Sequence, residues 1–358
     1  MLFEPFIARS LNLKNRIVMA PMTRSRAVDA NTPNALMAEY YGQRATAGLI
    51  ITEGTSPSPN GLGYARIPAL YKDAHVKGWQ GVTAAVHDRG GKIFVQLMHT
   101  GRVAHVANLP PGATVVGAGS AVCPGEMFTD SSGMQPHSVP REMTEADIVH
   151  AVGEFAHAAK LAREAGFDGV ELHAANGYLI EQFLNPIVNQ RSDGYGKTIG
   201  GRNRFALEVA RATVAAIGAD RVGIRLSPYG VFNGTGPFPE LEPQFLALAA
   251  DLSSIGLLYV HLVDHSAMGA PPVPPEIKLR LRAGFNGLFI LSGGFDRATA
   301  EVALLENRGD LIAFGRPFLA NPDLVARLRT GAPLNAPDMA TFYTPGAKGY
   351  TDYPSLAA

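Results

Sequence analysis

The stretch VELHAANGYLIEQFLNP, from Val170 to Pro186, changes character twice along its length. Val170, Glu171 and Leu172 read as the end of a strand, and Gly166-Phe167-Asp168-Gly169 before them is a turn signal that stops the preceding helix. Beyond them Leu179, Ile180, Phe183 and Leu184 recur at helical spacing. His173, Asn176 and Tyr178 stand on the loop between strand and helix. Two of these can donate hydrogen bonds to an oxygen anion, and the third is a weak acid. The unit is therefore strand, polar loop, helix.

The same unit repeats along the chain. Strands are expected at Ile17–Ala20, Leu49–Thr52, Ile93–Leu97, Gly169–His173, Val222–Leu226, Leu258–Leu262, Leu288–Leu291 and Leu311–Phe314. Each is a nearly continuous apolar run, as when both faces of a strand are buried. Helical patterns lie between them. The clearest is Thr144–Ala165, opened by a Thr144/Asp147 pair resembling a capping box and carrying Ile148, Val152, Phe155, Ala159 and Ala162 on one face. Others run over Arg204–Ile217, Glu242–Ile255, Arg297–Glu306 and Pro322–Arg329. Eight strands alternating with helices read as a (β/α)8 TIM barrel, with a doubly wound sheet as the runner-up. The chain is read as one domain over residues 1–358. Its connection after the third strand, Thr100–Met143, is too long for a simple loop and is expected to cap the catalytic face. Phe3, Phe6 and Ile7, ahead of the first strand, are expected to plug the bottom of the barrel.

The totals exclude several classes of function. There are 31 basic and 31 acidic side chains, so the formal net charge is zero and no electrostatic footprint for nucleic acid or an anionic membrane is present. Cys123 is the only cysteine, which excludes an intrachain disulfide and a thiolate metal cage. No signal peptide or membrane-length apolar run is found, and the expected location is the cytoplasm, with the chain a monomer or homodimer.

In a barrel of this kind the chemistry sits where the strands end. Gly293-Gly294 and Gly315-Arg316 follow the seventh and eighth strands, where glycine backbone and an arginine fork suit a phosphate, either of a substrate or of a cofactor such as FMN. Arg225 ends an otherwise apolar fifth strand. A cation there needs an anion opposite it, either Glu53 or Glu171 as an ion-pair partner, or a ligand. No strand ends in lysine, which argues against a Schiff-base aldolase, and no His-x-His pair ends the first strand, which argues against a metallohydrolase. No metal site is expected. His261 and His265 read as satisfied core or loop histidines. The glycine pairs Gly61-x-Gly63 and Gly117-x-Gly119 lack the setting of a dinucleotide fold.

These stretches together resemble the Old Yellow Enzyme family of FMN-dependent ene-reductases across essentially the whole chain. The resemblance is carried by APMTRSRA (Ala20–Ala27), GLIITEGT (Gly48–Thr55), FVQLMHTGR (Phe94–Arg102), the region Gly166–Gly196, IRLSP (Ile224–Pro228), AFGRPFLANPDL (Ala313–Leu324) and the tail TFYTPGAKGYTDYP (Thr341–Pro354). It implies non-covalent FMN, reduced by NAD(P)H, and activated alkenes such as enones, enals, maleimides, nitroalkenes and nitrate esters as oxidants. It implies that Pro21, Thr23, Gly54, Gln96 and Arg225 hold the flavin ring, with Thr23 at the flavin O4, and that Gly294, Gly315 and Arg316 hold its phosphate. His173 and Asn176 would bind the substrate oxygen, and Tyr178 would supply a proton. Met98, Tyr64 and Tyr343 would line the substrate pocket, Met98 standing where many relatives have Trp. Lys197–Gly201 also departs from the family pattern, which often reads Gly-Ser-x-Glu-Asn there. The rival reading is a barrel that binds a phosphorylated small molecule without redox chemistry, as an isomerase or binding protein.

Overall fold

The computed structural model describes residues 1–356. Eight parallel strands close a barrel in chain order: β1 (Ile17–Met19), β2 (Leu49–Thr55), β3 (Ile93–Leu97), β4 (Gly169–Ala174), β5 (Val222–Leu226), β6 (Tyr259–Val263), β7 (Leu288–Ser292) and β8 (Leu311–Phe314), the last pairing back onto β1. The doubly wound alternative is thereby excluded. Every residue of these strands is buried, which is why they read as unbroken apolar runs. β2 runs past Thr52 to Thr55 because a bulge between Ile51 and Gly54 lets it re-pair with Gln96 and Leu97 of β3.

The helices are α1 (Ala35–Gln43), α2 (Asp73–His87), α3 (Glu145–Glu164), α4 (Leu179–Leu184), α5 (Ile199–Ile217), α6 (Leu241–Ile255), α7 (Pro275–Ala283), α8 (Arg297–Leu305), α9 (Arg316–Ala320) and α10 (Leu324–Thr330). The expected capping box of α3 is formed by Thr144 and Asp147. α1, α2 and α7 escape the sequence reading for physical reasons. α1 buries Tyr40 and Tyr41 rather than an aliphatic stripe, α2 carries Gly78 and Gly81, and α7 buries only Ile277 and Leu281. The start of α5 lies earlier than Arg204, because Thr198 caps it by accepting the Gly201 N–H. Lys197–Gly201 thus builds its own helix start. A Cβ on Gly201 would fall 2.2 Å from the Gly196 carbonyl oxygen, so the residue has to be glycine.

A hairpin of Phe6–Ala8 and Leu11–Leu13 closes the bottom, but not with all the residues expected. Leu11 and Leu13 pack into the lumen against Val18, Leu49, Phe94 and Tyr259. Phe6 only flanks them, Phe3 sits between Arg297 and Arg329, and Ile7 is 75 % exposed. The alternation of the hairpin decides this, since Phe6 and Ala8 pair across from Leu13 and Leu11 while Ile7 points away. Above them, the glycines at the start of β4 and β5 make room for rings. A Cβ on Gly169 would lie 2.4 Å from the Phe94 ring, and one on Gly223 would lie 2.2 Å from Tyr259.

The insertion Thr100–Met143 contains a hairpin, Glu126–Thr129 with Gly133–Pro136, and a short pairing of Val116–Gly117 with Arg141–Glu142. Its Val103, Cys123 and Met127 pack against Met98 and Tyr178. None of its residues lines the cavity at the strand ends. It reaches that cavity through Met98 and Tyr178, which do line it.

Candidate active site

A cavity of about 620 Å3 opens at the C-terminal ends of the strands. Pro21 and Thr23 reach it from β1, Gly54 from β2, Gln96 and Met98 from β3, and His173, Asn176 and Tyr178 from β4 and its loop. Arg225 comes from β5, Gly293 and Gly294 from β7, Gly315 and Arg316 from β8, and Tyr343 from the tail. One expected residue stands apart. Tyr64 does not line the cavity but meets Tyr178 behind its wall, hydroxyl to hydroxyl at 3.0 Å.

The polar trio is held by the turn that follows β4. Asn176 and Gly177 both have left-handed backbone, with φ of 61° and 76°. Asparagine tolerates that region and glycine prefers it, so the chain reverses here within two residues. The reversal sets the Tyr178 ring edge-on to His173, with centroids 4.9 Å apart. His173 Nδ1 and Asn176 Oδ1 are buried and have no partner in the protein. Buried polar atoms are nearly always satisfied, so two orphans beside one cavity leave hydrogen bonds for a ligand to make, and toward an oxygen anion Asn176 would present its Nδ2, which has no protein acceptor. Burial, reinforced by Arg225, His261 and His265, holds the His173 pKa well below the usual histidine range. The ring is neutral at pH 7 and keeps one N–H to donate. Burial pushes the Tyr178 hydroxyl up to about 12, against the Tyr64 hydrogen bond, which lowers it.

The floor is a network inside the barrel. Glu171 Oε1 accepts from Gln96 Nε2 at 2.8 Å, and Oε2 from His261 Nδ1 at 2.8 Å. Both Glu171 and His261 are fully buried. Burial alone would raise the Glu171 carboxyl, but His261, Arg225 and Gln96 outweigh it and hold it below the carboxylate range. A carboxylate only accepts, so Gln96 has to turn its NH2 toward Glu171 and leaves Oε1 for an imide-like N–H. Neither carboxylate weighed as a partner for Arg225 forms an ion pair with it. Glu53 instead accepts the Arg24 and Ser25 backbone N–H groups and bonds the Tyr41 hydroxyl. Arg225 Nε is buried without a partner. His261 and His265 also depart from the expectation of satisfied histidines: His261 Nε2 and His265 Nδ1 are unpartnered, and His265 lines the cavity beside Phe232.

At the other end of the cavity Gly293 and Gly294 take φ of 144° and 67°. A Cβ on Gly293 would meet the Asp264 carbonyl oxygen at 2.4 Å, and one on Gly294 would meet Ala267 at 2.8 Å. Only glycines fit, which leaves bare backbone beside the exposed Arg316. Asp264 would repel an anion there, but it is neutralised by Lys278 at 2.6 Å.

Three buried arginines do what no single motif announced. Arg24 donates to Phe342 and Gly349 carbonyls, Arg26 to Thr341 and Phe342, and Arg44 to Phe318 and Leu319. Arg24 and Arg26 fasten the tail, Arg44 ties it to α9 by also donating to the Tyr350 carbonyl, and Tyr350 stacks on Tyr40 at 4.0 Å, which brings Phe342 and Tyr343 to the cavity rim. The nearest signal in the sequence is the pair of arginines in APMTRSRA, placed just after a strand end.

Comparison with known proteins bears on the same residues. The pattern of the NADH:flavin oxidoreductase / NADH oxidase family matches residues 1–335. The chain is 43 % identical to a chanoclavine-I aldehyde reductase of Penicillium roqueforti, over 98 % of this chain and 95 % of that one. It is 41 % identical to a probable flavin mononucleotide-dependent alkene reductase of Leishmania infantum, over 99 % and 97 %. The structure of morphinone reductase in complex with tetrahydroNAD superposes with a TM-score of 0.94 at 43 % identity, covering 99 % of this chain and 98 % of the other. With a closed eight-stranded barrel and matches along nearly its full length, the chain belongs to the NADH:flavin oxidoreductase group, the Old Yellow Enzyme family.

Proposed function

We propose that the protein is an FMN-dependent reductase that uses NAD(P)H to reduce the double bond of activated alkenes, with His173, Asn176 and Tyr178 as its catalytic residues. One observation carries the reading of the site. The same cavity joins a glycine–arginine cradle suited to phosphate, an unpartnered buried Arg225, and two unpartnered side chains beside a tyrosine acid. The rival, a phosphate-binding barrel without redox chemistry, explains the cradle and leaves the other features unused.

The residues present fit FMN. Gly294, Gly315 and Arg316 would hold the phosphate, Gln96 and Arg225 the polar edge of the ring, and Pro21, Thr23 and Gly54 its remaining sides. Arg225 supplies positive charge where the ring is most electron-rich, and its orphaned Nε gives it a bond to make. When bound, FMN supplies a carrier that accepts hydride from NAD(P)H and delivers it to the β-carbon of the alkene.

His173 and Asn176 then act on the substrate's activating oxygen. As hydride arrives, negative charge grows on that oxygen, and donors fixed beforehand stabilise it by about 3 kcal/mol each. Neutrality helps His173 here, since a cation in this buried position beside Arg225 would be repelled. Tyr178 completes the reaction by protonating the α-carbon. With its pKa at about 12 the hydroxyl is protonated at any physiological pH. Once it has given its proton, Tyr64 has to be the donor in the 3.0 Å contact, and it steadies the phenolate until solvent restores the acid. Met98 and Tyr343 bound the space left for the alkene, with Tyr64 behind.

The test is direct. Purified protein should be yellow, bleach anaerobically on addition of NAD(P)H, and regain colour with 2-cyclohexenone or a maleimide. Protein that cannot be loaded with FMN, or that bleaches but is not reoxidised by any activated alkene, rejects the proposal.

A further inference from the structure

The left-handed turn that presents Asn176 is tied to a carboxylate that the mechanism above does not use. Glu181 is the third residue of α4 and is 3 % exposed. Its Oε2 accepts the Gly177 N–H, and its Oε1 accepts the Ser227 hydroxyl at 2.8 Å. Ser227 Oγ in turn accepts the Asn176 N–H at 2.9 Å. One carboxylate therefore collects both N–H groups of the turn, one directly and one through a serine on the loop after β5. The far side is pinned as well. Asn233 Nδ2 donates to the Asn176 carbonyl at 2.7 Å, and a Cβ on Gly177 would lie 2.6 Å from the Phe232 carbonyl oxygen.

We propose that Glu181 is a positioning residue for substrate reduction: through Gly177 and Ser227 it holds the turn in the one arrangement that aims the Asn176 side chain at the substrate oxygen and places Tyr178 beside it. The proposal rests on the oxygen-binding role given to Asn176. The ionised carboxylate accepts strongly from both donors and brings no proton of its own. When protonated it carries a hydroxyl on one oxygen, which accepts less strongly from Ser227 or Gly177.

No charged side chain among the described residues bonds to Glu181. Its own loop offers the neutral His173 and Tyr178. Arg102, from the loop after β3, donates to the carbonyls of Ala121 and of Asn233, whose side chain pins the turn, and makes no bond to Glu181. Burial, opposed only by the Gly177 and Ser227 hydrogen bonds, lifts the Glu181 carboxyl to about 7. The turn is thus fixed above neutrality and loosened below it.

The experiment compares the FMN-loaded protein with its Glu181→Gln and Ser227→Ala variants between about pH 6 and pH 8. It reads kcat/KM for 2-cyclohexenone and the Kd of phenol, a flat ring with an oxygen that mimics the developing oxyanion. For the unaltered protein both should improve as pH rises through about 7, following the carboxylate. Glu181→Gln should lower kcat/KM about tenfold at the upper pH, weaken phenol by a similar factor, and flatten both profiles, while FMN content is unchanged. Ser227→Ala cuts only the Asn176 arm and should give a smaller loss, so it carries the test if Glu181→Gln does not fold. Unchanged kcat/KM and phenol affinity with the pH dependence intact in the variants would overturn the proposal. If the unaltered protein reduces no alkene yet phenol binding still depends on Glu181, the assigned reaction fails and the positioning role stands.

Discussion

Replacing Tyr178 by Phe separates the two halves of the proposed reaction. The substitution removes one hydroxyl and leaves the ring that packs edge-on to His173 at 4.9 Å. With a pKa of about 12 the lost group is fully protonated at neutral pH, so the variant loses an acid and no charge. General acid catalysis by a positioned side chain is worth about 10²–10⁴-fold, and enone reduction should fall within that range. Reduction of the enzyme by NAD(P)H needs no proton from Tyr178 and should keep its rate. Nitroalkenes should lose less, because their nitronate products take a proton from water. Tyr64→Phe is the graded control. It removes the donor at 3.0 Å that stabilises the phenolate, and a hydrogen bond to a charged group is worth about 1.5–3 kcal/mol. Only part of that charge has formed at the barrier, so the loss should be nearer tenfold. The assay is anaerobic stopped-flow spectroscopy at the flavin band, following bleaching by NAD(P)H and recolouring by alkene separately. Equal losses in both half-reactions would show that Tyr178 shapes the cavity rather than supplying the proton.

Two further outcomes probe the ends of the cavity. Arg316→Ala removes an exposed, charge-assisted phosphate contact and should release FMN on dilution, read as loss of yellow colour from the protein after gel filtration; unchanged affinity would place the phosphate elsewhere. Met98→Trp should lower kcat/KM for a 3-substituted cyclohexenone relative to cyclohexenone by about 1–3 kcal/mol in discrimination, since Met98 already fills the space a Gly54 side chain would take and a larger ring can extend only into the cavity; an unchanged ratio would remove Met98 from the pocket.

The barrel was legible because each strand is buried on both faces, and Val222–Leu226 or Leu311–Phe314 cannot be mistaken once the turn before each is seen. Positions around the cavity were legible for the same reason: a strand end fixes where a side chain goes, and His173, Gln96 and Arg225 all line the cavity from one. What stayed hidden depends on contacts between distant segments. Nothing near Arg24 or Arg26 in the chain says that they bond carbonyls more than 300 residues away, at Thr341 and Phe342. Ile7 and Leu11 are equally apolar, and only the pairing of their hairpin decides which enters the lumen. Glu181 sits in a run that reads as an ordinary amphipathic helix, and its role follows from Ser227 approaching it across the loop after β5.

The lumen shows how far function has shaped the core. Val18, Leu49, Ile51, Ile290 and Ala313 of β1, β2, β7 and β8 form one apolar cluster, joined at its lower end by Phe94 of β3 and Tyr259 of β6. The neighbouring half, β3 to β6, carries Gln96, Glu171, Arg225 and His261 at the cavity end. Packing alone does not ask for that. A buried, hydrogen-bonded charge cluster is often matched or bettered in stability by apolar residues of similar volume, because desolvation offsets much of the attraction. Orientation is a different matter. Glu171 accepts from Gln96 and His261 at once, which fixes the amide of one and the tautomer of the other: Nδ1 carries the proton and Nε2 is left bare. Its charge also balances Arg225 without bonding it, so the guanidinium is held in the core with its Nε still free for a ligand. Apolar residues could fill this half of the barrel, but they could not hold a cation ready beneath the cavity.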